Sequence, residues 1–462
     1  MTRQGHCPTP QALGPIDLQR LAGLQQCIGS ARPQQVLTDL GRRNRSHCRL
    51  THEVMLWVVL ATGVLTDLPL REVFRHASRL IPGRRLPGRA GLCRARKRLG
   101  VEPVRRLWQQ VVRPLAFHHR PSGYYKGWHL VGIDSTVLDV PDSPANARVF
   151  GRPAGGRGDG AFPQVRKLSL VELGSHAELA FVLKPCAASE GSMVAGLRRQ
   201  LRPDMLLLCD RNFFSYARWH ELSGRGVQLL FRLQRGPKLE PIRRLADGSY
   251  LAHIYPTASD RDRDRQGMVV RVIRYTLDDP QRTGHGEIHT LLTTLSDAAT
   301  YPATELILLY HDRWEQELVY DEQKTHQAPR LAGKEAQLRS ETPAGVVQEL
   351  YALSLAHYVT RALMAAAAAE AGIAPVRLSF VSCLRILRLR LPECPSGEWA
   401  SWRGWYESLL AEMGQEKLPP RRNRINPRVI KRKMSKFPKK RPPHRPAPPL
   451  KKKFVEAIVL ET

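Results

Sequence analysis

The stretch WHLVGIDSTVLDV, residues 128–140, is an apolar run that opens into acidic residues before Pro141. This pattern predicts a buried strand that leads into a loop. A second run, MLLLCD at 205–210, is wholly apolar until it ends on Asp210. Strand patterns alternate with helix patterns between residues 127 and 235, which predicts an α/β domain. Each of the two runs carries an aspartate, Asp134 or Asp210, near the end of its predicted strand.

These two aspartates are candidate metal ligands. Strand ends are where an α/β sheet displays functional groups, and a carboxylate on a buried strand is costly unless it is paired or holds a metal. With the helix-borne Glu317 they would form an all-oxygen site of the kind that Mg²⁺ prefers. Two ions about 3.5–4 Å apart would activate a water or a 3′-hydroxyl for phosphodiester cleavage. The residues alone leave rivals open, namely Asp139 and Asp142 for the first acid, Asp204 for the second, and Glu315 and Glu322 for the third.

The stretch YHDRWEQELVYDEQK, residues 310–324, surrounds Glu317 with other functional groups. Tyr310, Arg313, Glu317 and Lys324 are spaced so that they return to one side of a helix. Arg313 and Lys324 are predicted to bind nucleic-acid phosphates, and Tyr310 to donate a hydrogen bond to a phosphate or to pack beside the strand. The alternative is that Arg313 and Lys324 only form salt bridges with neighbouring acids on the helix. Trp314 is expected to be a core anchor rather than a base stacker.

The chain has 462 residues, a formal net charge of +30 and an apolar fraction of 42%. This length predicts two or three domains, and so large a positive charge favours a polyanionic partner. The longest apolar run, at 54–65, is too short to span a bilayer, and the first residues lack a signal-peptide pattern. We therefore expect an intracellular protein without a membrane anchor, with nucleic acid as the polyanion. The eight scattered cysteines form no CxxC pair, which favours reduced thiols and gives no support for a zinc site.

The regions on either side of the α/β domain differ from it in pattern. Residues 1–120 are predicted to be helical and rich in arginine, which fits a DNA-binding module as well as an ordinary helical bundle. Residues 236–300 contain several more predicted strands, and helices dominate again from residue 304. The stretch from 417 to 453 carries many lysines and arginines, several prolines and no acid. It is predicted to be a disordered tail that binds phosphates electrostatically.

The spacing of Tyr310, Arg313, Glu317 and Lys324 reproduces the Y-x2-R-x3-E-x6-K signature of transposases encoded by bacterial insertion sequences of the type-four family. Upstream, GIDST and CDRNFFS resemble the two aspartate motifs of that family. Downstream, LRSETPAGVVQELYALSLAHYVTRAL resembles the helical segment that follows the signature. The resemblance extends over nearly the whole chain and weakens in the basic tail.

The resemblance implies a ribonuclease-H-like core, an α/β fold with a β-rich insertion, flanked by a helical N-terminal domain and C-terminal helices. The expected domains are a helical DNA-binding domain at 1–120, a catalytic domain at 121–416 with its insertion at about 227–300, and a basic tail at 417–462.

The resemblance also implies cut-and-paste DNA transposition, in which transposon ends are cleaved and joined to target DNA. Asp134, Asp210 and Glu317 would be catalytic and would hold two Mg²⁺ or Mn²⁺ ions, while Tyr310, Arg313 and Lys324 would contact DNA. The expected partners are the inverted-repeat ends and the target, both double-stranded DNA, and a second copy of the chain in a synaptic homodimer. The expected location is the bacterial cytoplasm, in association with the nucleoid. Two rivals are a metal-dependent nuclease that cuts without strand transfer and an inactive or host-adapted sequence-specific DNA-binding protein.

Overall fold

The structure is a computed structural model that describes residues 18–44, 48–78, 86–116, 123–155, 158–233, 238–280, 285–328, 338–419 and 452–461. The α-helices in these ranges are Ala22–Ile28 (α1), Arg32–Asp39 (α2), His52–Val64 (α3), Leu70–Ala77 (α4), Arg89–Leu99 (α5), Glu102–Val111 (α6), Pro144–Phe150 (α7), Glu190–Met193 (α8), Tyr216–Gly224 (α9), Ala258–Asp262 (α10), Ala303–His311 (α11), Trp314–Asp321 (α12), Pro343–Glu370 (α13), Phe380–Arg390 (α14), Trp399–Gln415 (α15) and Phe454–Ala457 (α16). The strands are Tyr124–Tyr125 (β1), Trp128–Asp139 (β2), Ala154–Gly155 (β3), Gly158–Asp159 (β4), Gln164–Glu172 (β5), Glu178–Pro185 (β6), Met205–Cys209 (β7), Gln228–Arg232 (β8), Arg243–Arg244 (β9), Tyr250–Ile254 (β10), Met268–Leu277 (β11), His289–Thr293 (β12) and Ile458–Leu460 (β13).

A mixed sheet runs through the middle of the molecule in the order β6-β5-β2-β7-β8-β12-β11-β10-β9. β5 and β6 follow β2 as an antiparallel meander. β7 and β8 return on the other side of β2 and run parallel to it. The crossover from β7 to β8 passes through α9, as parallel neighbours require. Three antiparallel strands followed by two parallel ones confirm the predicted α/β, ribonuclease-H-like class.

The β-rich insertion continues this sheet. β12 pairs antiparallel with β8, with Leu292 opposite Phe231, and β11, β10 and β9 follow as antiparallel neighbours. The alternation of buried and half-buried residues in β10 places Tyr250, Ala252 and Ile254 in the same core as the central strands. The strands predicted for residues 236–300 are therefore present, and they share backbone hydrogen bonds with the core sheet.

The helices from both ends of the chain pack together in one core. Thr51 caps α3 by accepting a hydrogen bond from the backbone N–H of Val54, and the helix that follows is apolar on nearly all sides and buried. α3 packs along α13, and residues of α1 to α6 share one hydrophobic cluster with residues of α13, α14 and α15. None of the helices in the described ranges is long and apolar enough to cross a membrane.

Gly63 of α3 lies directly against the backbone of α13, and we expect Gly63→Ala to be strongly destabilising. A Cβ at this position would collide with the carbonyl group of Ala352, and backbone on a packed helix cannot move away as a flexible side chain can. The free energy of unfolding, measured by urea denaturation, should fall by about 1–3 kcal/mol. Gly91→Ala is the matched control, since nothing lies within 4 Å of a Cβ there and alanine favours the helix. Equal effects at the two positions would contradict the close packing.

The C-terminal residues that the structure describes join the sheet. Residues 420–451 of the predicted tail lie outside the described residues, but β13 pairs antiparallel with β11, with Val459 opposite Thr276. Lys452 Nζ lies 2.6 Å from Asp278 Oδ2, and the Phe454 ring packs on His311 with ring centroids 3.7 Å apart. Residues 454–461, which follow the stretch that was predicted to be disordered, therefore belong to the sheet, because Phe454, Ile458 and Leu460 pack against one of its cores.

Candidate active site

The pleat of the sheet places Asp134 and Asp210 side by side. Ile133 pairs with Cys209 in parallel register, so the residues that follow them, Asp134 and Asp210, are neighbours. Side chains alternate between the faces of a strand. Ile133 and Cys209 lie in the core cluster on the face of α9, which turns both aspartates toward the opposite face, where α11 and α12 pack.

α12 lies directly on this second face. A Cβ at Gly132 would come within 2.7 Å of Gln316 Oε1, so the absence of a side chain at Gly132 allows the helix to approach the strand. Gln316 Nε2 donates to the carbonyl oxygen of Ser169 at 3.1 Å, and the Tyr320 hydroxyl donates to the carbonyl oxygen of Asp134. Glu317, between these two anchors, is thereby brought toward Asp134, which lies in the middle of β2 and not near its end as predicted.

Arg313 lies among the three acids. Its Nη1 is 3.9 Å from Asp134 Oδ2 and its Nη2 is 3.5 Å from Glu317 Oε1. Burial lowers the pKa of Arg313, but Tyr310, Asp210, Asp134 and Glu317 raise it, and the net shift is upward. The salt bridge between Arg313 and Glu317 that the sequence left as an alternative is therefore present, and the same guanidinium also lies near Asp134.

The negative charge at this point is incompletely neutralised. Burial raises the pKa of Asp134 to about 6, and Glu190 and Glu317 add to this rise, while the Ser135 N–H and Arg313 oppose it. A divalent cation beside Asp134 would stabilise its charged form and so oppose the effect of burial on its pKa, and carboxylate oxygens are suitable ligands for Mg²⁺ or Mn²⁺. The donor set therefore fits such an ion. As the side chains stand, however, no three His, Cys, Asp or Glu groups in the described ranges are close enough to form a metal site.

The rival acids lie elsewhere. Asp204 precedes β7 and accepts two hydrogen bonds from Arg202, and Asp142 bonds to Arg152. Asp139, at the far end of β2, accepts from Gln164. Glu315 and Glu322, in the signature stretch, are buried and face the protein interior. The geometry thus favours Asp134, Asp210 and Glu317 over each of their competitors.

The signature stretch is not one continuous helix, and that expectation was wrong. α11 ends at His311, α12 starts at Trp314, and Glu322–Gln327 form a π-helix. At the break, the N–H of Asp312 donates to Leu309 and that of Arg313 to Tyr310, both across three residues. These short-range bonds tighten the chain and end α11. Tyr310 consequently lies on α11, Arg313 in the turn before α12, Glu317 on α12 and Lys324 on the π-helix.

The break and the π-helix decide where the remaining signature side chains lie. The Tyr310 hydroxyl is buried and donates to the carbonyl oxygen of Cys209 at 3.3 Å, directly before Asp210. Lys324 Nζ donates to Thr136 Oγ1 at 3.2 Å and to the carbonyl oxygen of Val137 at 3.0 Å, just beyond Asp134. Trp314 is 43% exposed, so the expectation that it anchors the core was wrong.

A buried charged cluster, which was not predicted from the sequence, binds the buried side of α12 and of the π-helix. Glu322 accepts from Arg361 of α13, and its oxygens lie 2.9 Å from His176 Nδ1 and 2.9 Å from His357 Nε2. His176 Nε2 also lies 2.7 Å from Glu315 Oε2. These five residues fasten α12 and the π-helix to α13. They are far apart in the chain, so only the folded structure reveals the cluster.

We expect acid to weaken this cluster in two stages. Burial lowers the pKa of His357 below its usual 6.5, although Glu322 opposes the shift. Burial raises the pKa of Glu322, but Arg361, His176 and His357 outweigh it and the net value lies well below 4.5. Both groups take up protons more readily in the unfolded chain. The stability that these two groups contribute is therefore complete at a pH above their usual pKa values and is lost as the pH falls. Protonation of His357 lowers the free energy of unfolding first, below about pH 6.5, and protonation of Glu322 lowers it further below about pH 4.5.

Urea denaturation midpoints measured across this pH range test the expectation. His357→Gln should flatten the first stage and leave the second in place. A midpoint that stays constant as the pH falls below 6.5 in the unaltered protein would contradict the assignment.

Comparisons with known proteins bear on the family of the chain. Residues 18–109 match the family model described as "Insertion element 4 transposase N-terminal", and residues 130–359 match "Transposase DDE domain". The chain is 31% identical over 408 residues to the Escherichia coli (strain K12) protein "Transposase InsG for insertion sequence element IS4", covering 84% of this chain and 87% of the relative. It is also 26% identical over 168 residues to "Putative transposase InsZ" of the same strain, covering 36% of this chain and 56% of that relative.

A solved structure, the piggyBac transposase synaptic complex with hairpin DNA, covers 88% of this chain and 87% of its own, with 11% identity and a TM-score of 0.42. The assignment rests instead on the sequence matches. The InsG match spans most of both chains at 31% identity, and the two family models cover the helical N-terminal region and the sheet that carries Asp134 and Asp210. The chain therefore belongs to the insertion-sequence type-four family of DDE transposases.

Proposed function

We propose that Asp134, Asp210 and Glu317 carry the transposase reaction of this protein. The observation that supports this is the placement of Arg313, whose pKa is raised by all three acids together and whose side chain lies within 3.9 Å of two of them. Asp134 lies in the middle of β2, Asp210 directly follows the neighbouring strand β7, and Glu317 lies on α12, which packs on β2. The competing aspartates form hydrogen bonds with other residues away from Arg313. The competing glutamates, Glu315 and Glu322, bind His176 in the protein interior.

A DDE domain implies dependence on divalent metal ions, and we propose two Mg²⁺ ions, or Mn²⁺, held by the same three carboxylates. When bound, the ions would supply an activated water or 3′-hydroxyl and would stabilise the leaving oxygen. The protein's own part is to hold the three carboxylates at one point and to bind the scissile strand beside them. The raised pKa of Asp134 shows that burial there disfavours an isolated negative charge, which a bound cation would stabilise.

We propose that Arg313 exchanges its carboxylate contacts for a DNA phosphate when the ions and the strand bind. Its Nε is buried and lacks a hydrogen-bond partner, so the guanidinium is incompletely satisfied where it stands. Arginine binds phosphate through two parallel N–H donors. For Tyr310 we propose support of β7 instead of phosphate contact, because its hydroxyl donates to the carbonyl oxygen of Cys209, the last residue of that strand.

Lys324 is the remaining proposed DNA contact, and Lys324→Met tests it. Its ammonium is held by oxygens of β2 just past Asp134, and loss of one phosphate contact should weaken DNA binding at every sequence alike. The slope of log affinity against log salt should become shallower by about one. Lys126→Met, near the start of β2 and paired with Glu305, should leave the slope unchanged. An unchanged slope for Lys324→Met would remove this residue from the interface.

The remaining expectations on partners follow from the reaction. We propose that the DNA partners are the inverted-repeat ends of a transposon and a target duplex, and that two copies of the chain hold the two ends. The net charge of +30 would favour any such polyanion. We place the protein in the bacterial cytoplasm at the nucleoid, where this DNA lies.

A strand-transfer assay separates the proposal from its rivals. The full-length protein is incubated with Mg²⁺, a duplex that carries the transposon end, and a supercoiled target. Cut-and-paste transposition requires covalently joined products. Cleavage without joining would favour a nuclease, and binding without either product would favour an inactive or host-adapted DNA-binding protein. Removal of divalent ions with EDTA should abolish both products and leave DNA binding in place.

A further inference from the structure

Ser135 is the residue through which Asp134 is held. The backbone N–H of Ser135 donates to Asp134 Oδ1 at 2.8 Å, which leaves Oδ2 on the side of Arg313. The hydroxyl of Ser135 points to the other face of β2, since neighbouring side chains alternate. There it donates to Glu190 Oε1 at 2.6 Å. The orientation of the Asp134 carboxylate therefore depends on Ser135, whose own side chain is held by a hydrogen bond on the opposite face of the sheet.

Arg166 completes this arrangement. Its Nη1 donates to the Ser135 hydroxyl at 3.3 Å and lies 3.6 Å from Glu190 Oε1. Its Nε and Nη2 donate to the carbonyl oxygen of Cys186 at 3.3 and 3.1 Å. The three side chains of Ser135, Arg166 and Glu190 thus come from β2, β5 and α8 and meet at one hydroxyl. We call them the Ser135 clamp.

α8 is itself held against the turn that carries the second aspartate. A Cβ at Gly191 would lie 2.5 Å from Arg218 Nη2, and Arg218 Nη1 donates to the carbonyl oxygen of Phe213. Phe213 ends the short helix that Asp210 caps. A shift of Glu190 would therefore be opposed by the same packing that fixes the Asp210 turn.

We propose that Glu190 is a positioning residue for DNA cleavage and strand transfer, acting with Arg166 through Ser135 to fix the Asp134 carboxylate for cation binding. It neither holds the ion nor touches DNA in this assignment. A buried carboxylate that binds an ion must be held in one rotamer, and groups behind the ligands supply this restraint. The inference rests on the proposed role of Asp134 as a ligand.

Binding of Mn²⁺ to the full-length protein without DNA tests the Ser135 clamp independently of activity. Electron paramagnetic resonance of the free ion gives the affinity. Glu190→Ala and Ser135→Ala should each weaken binding by about tenfold, as is usual for groups behind a metal ligand. Glu190→Gln should retain most of the affinity, because its amide oxygen still accepts from the Ser135 hydroxyl. Glu221→Ala is the control, since Glu221 pairs with Arg198 on the surface of α9.

The Mn²⁺ affinities of these variants either support or overturn the positioning role of Glu190. Wild-type affinity in Glu190→Ala and Ser135→Ala would overturn the inference. An equal loss in Glu190→Gln and Glu190→Ala would also overturn it, because Glu190 would then act by charge and not through Ser135. If Glu190→Ala does not fold, Ser135→Ala decides, since it removes a single oxygen. If Asp134→Asn binds Mn²⁺ as tightly as the unaltered protein, the proposed metal site fails first, and that result differs from a failure of the Ser135 clamp alone.

Discussion

Asp134→Asn, Asp210→Asn and Glu317→Gln should each abolish cleavage and strand transfer while DNA binding persists. Each amide keeps the shape of the side chain but loses the charge that attracts a divalent cation. Bound metal ions supply several kcal/mol of transition-state stabilisation, so the rate should fall by about 10³-fold or more, which corresponds to about 4 kcal/mol. Single-turnover cleavage of an end-bearing duplex measures the rate, and gel shift measures binding on the same preparations.

Two acids serve as matched controls for these variants. Asp204→Asn and Asp142→Asn alter carboxylates that pair with Arg202 and Arg152 on the surface. Both variants should cleave at nearly the rate of the unaltered protein. An active Glu317→Gln, or an inactive Asp204→Asn, would show that the acids that we assign are not the ones that act.

Arg361→Met should produce the largest loss of stability among single substitutions outside the active site. Arg361 is 2% exposed and bonds to Glu322 through two nitrogens. The substitution would leave a buried carboxylate with only histidine partners, and breaking a buried ion pair in this way costs about 3–5 kcal/mol. Urea denaturation gives the free energy of unfolding. Cleavage activity should fall as well, because Glu322 starts the π-helix that directly follows α12 and Glu317.

The double variant Arg361→Met, Glu322→Gln separates charge from packing. With both charges removed, part of the stability should return, since no uncompensated carboxylate remains. Arg403→Met, on the exposed side of α15 where Arg403 pairs with Glu407, should leave the free energy of unfolding unchanged. If the double variant is less stable than Arg361→Met by the full effect of Glu322→Gln, the two residues are not energetically coupled.

The parts of the fold that local patterns determine were predictable from the sequence. The apolar runs before Asp134 and Asp210 correspond to the first half of β2 and to β7, because a strand that is buried on both faces needs apolar residues throughout. β2 continues past Asp134 to Asp139, although the sequence placed Asp134 near the end of its strand. The strands of the insertion and the cap of α3 at Thr51 were also predictable, because each is determined by residues that are close together in the sequence. The spacing that ends at Lys324 led to the family, which the matches at 18–109 and 130–359 confirm.

The features that the sequence did not reveal depend on contacts between distant segments. The break at Asp312 and the π-helix after Asp321 lie in a stretch, residues 310–327, that forms hydrogen bonds with β2, β5 and α13. The histidine, arginine and glutamate cluster around Glu322 joins three regions of the chain. Glu190 follows a serine that caps a four-residue helix, a pattern that by itself indicates only a helix start. In each case the determining partner lies far away in sequence.

The continuity of the sheet determines how mechanical force can travel through the protein. β8 bonds to β7 on one side and to β12 on the other, so the insertion cannot swing as a separate body unless backbone hydrogen bonds break. A force on the insertion would therefore strain β7, whose last residue precedes Asp210. Packed sheets transmit such strain because they are poorly compressible. Displacement of the insertion and the position of Asp210 are therefore coupled through backbone hydrogen bonds.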